Sequence, residues 1–232
     1  MESDVTQSAV FFKTWAWAEA HRKQIGLGAA GVLVVGIGIG FFVWQQDQKQ
    51  TAASQALSQI GSQSALTGKA AEPQAFVKVA SEYPKTGGGE RALLIAGTRF
   101  FSEGKYPEAQ AQFQKFLSEY PNSDFTGQAA LGIAASLEAQ GKTPEAVKAY
   151  KDISDRRSND VVAPQARLSL GRLYEAQGNL AQAKDTYEQL VRAEYGQFGQ
   201  EAGMHLQELL TKNPSLVQPP VSSSNAPVLN LK

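Results

Sequence analysis

The chain has 232 residues and no cysteine, and its 22 Lys+Arg balance 22 Asp+Glu. Without thiols it forms no disulfide, thiolate nucleophile or thiolate metal site, and the lack of a basic surplus argues against nucleic-acid binding. Charged residues make up 19% and hydrophobic residues 42%, the balance of a chain that folds around a core.

Residues 1–24 read as a short tail carrying Trp15 and Trp17. From Gln24 to Gln46 there is no charged residue. The apolar part, Ile25 to Trp44, is 20 residues, about 30 Å as a helix and the thickness of a hydrocarbon core. A cleaved signal peptide needs a shorter apolar region beside a small-x-small site, whereas this run ends in Phe41, Phe42, Val43 and Trp44. A transmembrane helix over 25–44 is therefore expected. Lys13, Arg22 and Lys23 precede it, and only Lys49 follows closely. That asymmetry predicts a cytoplasmic N-terminus with the main domain on the far side, which in a diderm bacterium is the periplasm. The expected location is thus the inner membrane, single-pass. Gly36 and Gly40 form a Gly-x-x-x-Gly pair, a candidate contact with another membrane helix, although ordinary glycine enrichment of membrane helices accounts for it as well.

Residues 45–89 read as a helical stalk, rich in Ala and Gln from Asp47 to Leu66, followed by a degenerate repeat. "SEYP" at Ser81–Pro84 recurs at Ser118–Pro121, 37 residues later. "KTGGGE" at Lys85–Glu90 lacks the ending of a phosphate-binding loop and reads as a flexible joint.

From 90 onward the same period governs. Gly104, Gly141 and Gly178 are 37 apart, each followed five residues later by Ala109, Ala146 or Ala183 and nine later by Phe113, Tyr150 or Tyr187. Seven before each stands Gly97, Ala134 or Gly171. Small residues at matched places let two helices approach, glycine suits the turn between them, and Pro107 and Pro144 suit a helix start. The pattern resembles the tetratricopeptide (TPR) repeat, a pair of antiparallel helices that buries its apolar face by stacking on its neighbours. The units are 90–123, 127–160 and 164–197. A closing helix extends to Thr211, and 212–232, with four prolines and a serine run, reads as disordered. The fold expected is all-α: an α-solenoid behind a membrane anchor.

No catalytic constellation, cofactor motif or metal set stands out. His205 has Glu201 and Glu208 on its helical side, but reads as a surface histidine. The TPR resemblance implies a concave partner-binding face lined by the first helix of each pair. Carried over in register, its residues are Arg91, Leu94, Thr98 and Phe101, then Gln128, Leu131, Ala135 and Glu138, then Gln165, Leu168, Arg172 and Glu175, with Leu57 equivalent to the leucines. Such a groove suits an extended or helical apolar peptide.

The whole plan of tail, glycine-rich anchor, stalk and array resembles the ancillary SecYEG translocon subunit family. This resemblance implies a non-enzymatic adaptor with translocon subunits or periplasmic chaperones as partners. "GKYPEAQAQFQKFLSEYPNS" also resembles repeats of periplasmic cell-envelope TPR proteins of the Tol-Pal cell-division coordinator type and of the outer-membrane assembly lipoprotein, which implies the alternative of an envelope scaffold.

Overall fold

The architecture comes from a computed structural model, which describes residues 15, 17, 19–157 and 160–217, except for the side chains at 25, 26, 29 and 30. Among the described residues there are nine α-helices and no strand.

Helix α1 (Arg22–Thr67) runs unbroken for 46 residues, about 70 Å. Its two halves differ. Leu27, Val32, Val35, Ile39, Phe41, Phe42 and Trp44 are all more than half exposed, on every side of the helix. From Gln46 onward, shielded positions recur at Gln50, Ala53, Leu57, Ile60 and Ser64, steps of three or four that mark one packed face. The stalk and the first helix of the degenerate repeat are thus one rod, which ends where Gly68 turns left-handed at φ 65°. Among the described residues no helix is long and apolar enough to cross a membrane. The expected span Ile25–Trp44 includes the four positions without described side chains, and the continuous run from Gly31 to Trp44 covers only about 20 Å.

Helix α2 (Pro73–Glu82) folds back on α1. Three hairpins come next: α3 (Gly87–Ser102) with α4 (Tyr106–Glu119), α5 (Thr126–Ala139) with α6 (Thr143–Arg156), and α7 (Ala163–Ala176) with α8 (Leu180–Arg192). Helix α9 (Gly196–Lys212) covers the last of them. Each helix packs on the next in sequence, and α1 also reaches α3, α3 reaches α5, and α7 reaches α9. First helices therefore stand beside first helices from α1 through α3 to α5.

The three hairpin turns have one geometry. Gly104, Gly141 and Gly178 sit at φ 75°, 73° and 75°, a region other L-residues enter at a cost of about 1–2 kcal/mol. The next amide, of Lys105, Lys142 or Asn179, donates back to the carbonyl of Phe100, Leu137 or Tyr174 at 2.9, 3.0 and 2.8 Å. This is the Schellman arrangement that satisfies the last turn of a helix.

The segment expected to be a flexible joint is instead tightly held. Thr86 is buried and caps α3: its hydroxyl oxygen accepts from the Gly89 amide at 3.0 Å and donates to the Tyr83 carbonyl at 2.7 Å. A Cβ at Gly88 would collide with Ala53 of α1, and one at Gly89 with the Tyr83 carbonyl. Gln50 accepts from the Gly87 amide at 2.9 Å and Gln46 donates to the Lys85 carbonyl at 3.2 Å, so the triple glycine is where the rod docks on the array.

At the other end, order continues past the expected boundary at 211. Pro214–Leu216 form a 3₁₀ turn, Lys184 donates to the Leu216 carbonyl at 2.9 Å, and Leu216 packs on the α8–α9 core. Burying that leucine holds residues 212–217 in place. Residues 218–232 of the expected tail lie outside the described residues.

Candidate functional site

Leu94, Thr98 and Phe101 lie at i, i+4 and i+7 on α3, and Gln128, Leu131 and Ala135 at i, i+3 and i+7 on α5, spacings that put each set on one helical face. The structure brings these six together with Gln165 of α7 around a cleft of about 430 Å³. Phe113 and Gly132 complete its lining. The Phe113 ring is wedged between Gly97 and Gly132: a Cβ at either would lie 2.6 or 2.5 Å from it. Gly132 thus gives the ring its seat and leaves the cleft open above it, a role the repeat pattern does not announce. The leucines, Phe101 and Ala135 are half-buried, while Thr98, Gln128 and Gln165 are exposed. The Thr98 hydroxyl donates to the Leu94 carbonyl at 2.9 Å, which leaves the wall mainly apolar with amides at its rim.

Beyond the cleft the row changes chemistry. Glu138 and Glu175 occupy in α5 and α7 the place Phe101 holds in α3. Tyr150 donates to Glu138 at 2.7 Å and Tyr187 to Glu175 at 3.0 Å, so each carboxylate ties the first helix of its hairpin to the second. Burial, and after it the accepting carboxylate, pushes both phenols well above their ordinary value. Arg172 approaches Glu138 at 3.9 Å with about half of its side chain exposed. Reading the two glutamates as groove residues misses these bridges, although the 12-residue separation of each Glu–Tyr pair and its repetition at 37 stand in the sequence.

Two expected groove leucines lie elsewhere. Leu168 is only 4% exposed and packs in the core with Tyr187, Leu190, Ala202 and Leu209, because α9 covers its side of the hairpin. Leu57 packs against the first core cluster. Arg91 is exposed and donates to the Gly87 carbonyl at 3.3 Å, outside the cleft lining. His205 stacks on Tyr187, ring centroids 5.3 Å apart, with Glu201 at 4.0 Å. Among the described residues no three side chains of metal-binding type converge. Nothing stands within 4 Å of where a Cβ would sit at Gly36 or Gly40.

A family model described as tetratricopeptide repeat-like domain matches residues 13–211. No curated protein matches the chain. Among solved structures, nearly identical TPR-like repeats of a kinesin light chain from Podosopora anserina match at 14% identity and a TM-score of 0.49, covering 74% of this chain and 88% of that one.

Proposed function

The chain belongs to the tetratricopeptide repeat-like domain family, and from that premise we propose that it is a non-enzymatic, membrane-anchored adaptor that binds protein partners on its first-helix face and serves polypeptides exported through the translocon, alongside periplasmic chaperones. The observation that carries the binding role is the cleft between α3 and α5, an apolar hollow that no side chain of the described chain fills. Apolar hollows with a few polar groups at the rim are where peptides dock.

The anchor rests on the first half of α1. A helix apolar on all sides and exposed on all sides is stable only in an apolar surrounding. In lipid its glycines keep their backbone bonds, and the open face at Gly36 and Gly40 admits a second helix. The basic residues before it favour a cytoplasmic N-terminus and a periplasmic array.

The test has two parts. The full chain should resist alkaline carbonate extraction, and a chain beginning at Gln46 should not. Purified in mild detergent, the full chain should bring translocon subunits with it, and Gly36→Ile with Gly40→Ile should reduce that recovery. Extraction of the full chain by carbonate would remove the anchor. Septal enrichment without translocon subunits would replace the export role with the envelope scaffold.

A further inference from the structure

Helix α9 closes the array, yet part of its uncovered side is apolar, where a capping element calls for a polar face. Between α8, α9 and the Pro214–Leu216 turn lies a hollow of about 520 Å³, lined by Val191, Leu206, Leu210 and Val217 with Gln207 and Thr211 as its polar neighbours. Gly203 contributes no side chain to this lining, and a Cβ there would stand 3.7 Å from Val191. Val217 is 62% exposed and Val191 40%, so the hollow is left uncovered. The chain itself leads out of it. Leu216 packs on the α8–α9 core, and its carbonyl accepts from Lys184 at 2.9 Å. Those contacts fix Val217, which is both part of the lining and the residue from which 218–232 continue.

The sequence beyond Val217 gathers its aliphatic residues late, at Val228, Leu229 and Leu231. The ten residues 218–227 that precede them reach at most about 33 Å, against about 25 Å for the whole of α9, so every part of the hollow is within range. We propose that the hollow is an intramolecular docking site and that its occupant is Val228–Leu231 of the same chain. Leu229 and Leu231 enter beside Leu206, Leu210 and Val217, which takes apolar surface out of water on both sides. The tether gives this segment an effective concentration in the millimolar range, an advantage over any free partner with an equally small apolar contact. The docked segment caps the array at α9, and its site shares no residue with the α3–α5 cleft.

Because the chain has no cysteine, disulfide trapping in the full chain in mild detergent tests this directly. Asn230→Cys is combined either with Gln207→Cys, in the lining, or with Glu208→Cys, the next residue on α9 and equally exposed but outside the lining. Oxidation should close the intramolecular 207–230 bridge at least about tenfold faster than the 208–230 bridge, the factor that burial of one leucine supplies. Leu229→Ser with Leu231→Ser should remove that excess. Gly203→Leu, which fills the hollow and leaves the segment intact, should remove it too; thermal melts check that the variants fold. Equal rates at the two positions, or an excess that survives either change, would overturn the proposal. Bridges formed only between chains would also overturn it and give the hollow to a second copy.

Discussion

The first hairpin of the array and the two after it use one backbone plan for opposite ends. At the equivalent place stand Phe101, Glu138 and Glu175. In the second and third hairpins the glutamate accepts a hydrogen bond from Tyr150 or Tyr187, and the two helices are riveted across the face. In the first, Phe101 meets Tyr106 edge-on at 5.2 Å and lines a cleft beside Phe113. Where a polar bridge crosses the hairpin the face is fastened. Where two phenylalanines and Gly132 replace it, apolar surface is left uncovered. The turns, the packing within each hairpin and the small residues before each turn are common to all three, so the difference in chemistry at this place resides in a few side chains.

The largest expected effect comes from removing the apolar side of that contrast. Phe101→Ala with Leu131→Ser should lower partner capture by more than about tenfold, as for a central anchor of an interface, while circular dichroism still reports a cooperatively melting helical protein. Next, Gly132→Ala should cost about 1–3 kcal/mol in urea unfolding, because the added carbon meets the wedged Phe113 ring. Smaller again is the loss of one rivet. Tyr150→Phe should cost about 1 kcal/mol at neutral pH, and it carries a pH signature. The Tyr150 phenol is raised above its ordinary value by burial and then by Glu138. Stability from this group is therefore complete below about pH 10 and falls as pH rises beyond it, and Tyr150→Phe should flatten that fall in melts taken from about pH 8 to 11. At the bottom of the scale, Lys151→Ala removes an exposed pair with Asp155 on α6 and should shift stability by less than about 0.5 kcal/mol with capture unchanged.

Much of this architecture is legible in the chain, for a physical reason. Gly104, Gly141 and Gly178 recur because each turn needs a left-handed residue, and all three adopt it. Gly97 and Gly171 recur because an aromatic ring presses on each. Such constraints act within one repeat and leave a local mark. What stays hidden depends on contacts between repeats. Leu168 has the same register as Leu94 and Leu131, and only the placement of α9 turns it into core. Gly87–Gly89 look like a loop until Ala53, Gln50 and Gln46 of α1 arrive against them. Gly132 is silent until the ring of the preceding hairpin is in place. Six of the positions that line the cleft, on α3 and α5, are legible because they share a helical face with the pattern that defines the repeat.

Whether partners are held on the first-helix face over the cleft is tested most directly by site-specific photo-crosslinking in living cells. The crosslinking residue is placed in turn at Phe101, at Arg172 and at exposed Gln114 on α4, and the captured chains are identified by mass spectrometry. Adducts are expected from the first two positions, dominated by translocon subunits, chaperones or many exported polypeptides, with little from the third. Equal yields from all three, or adducts from Gln114 alone, would contradict binding on that face.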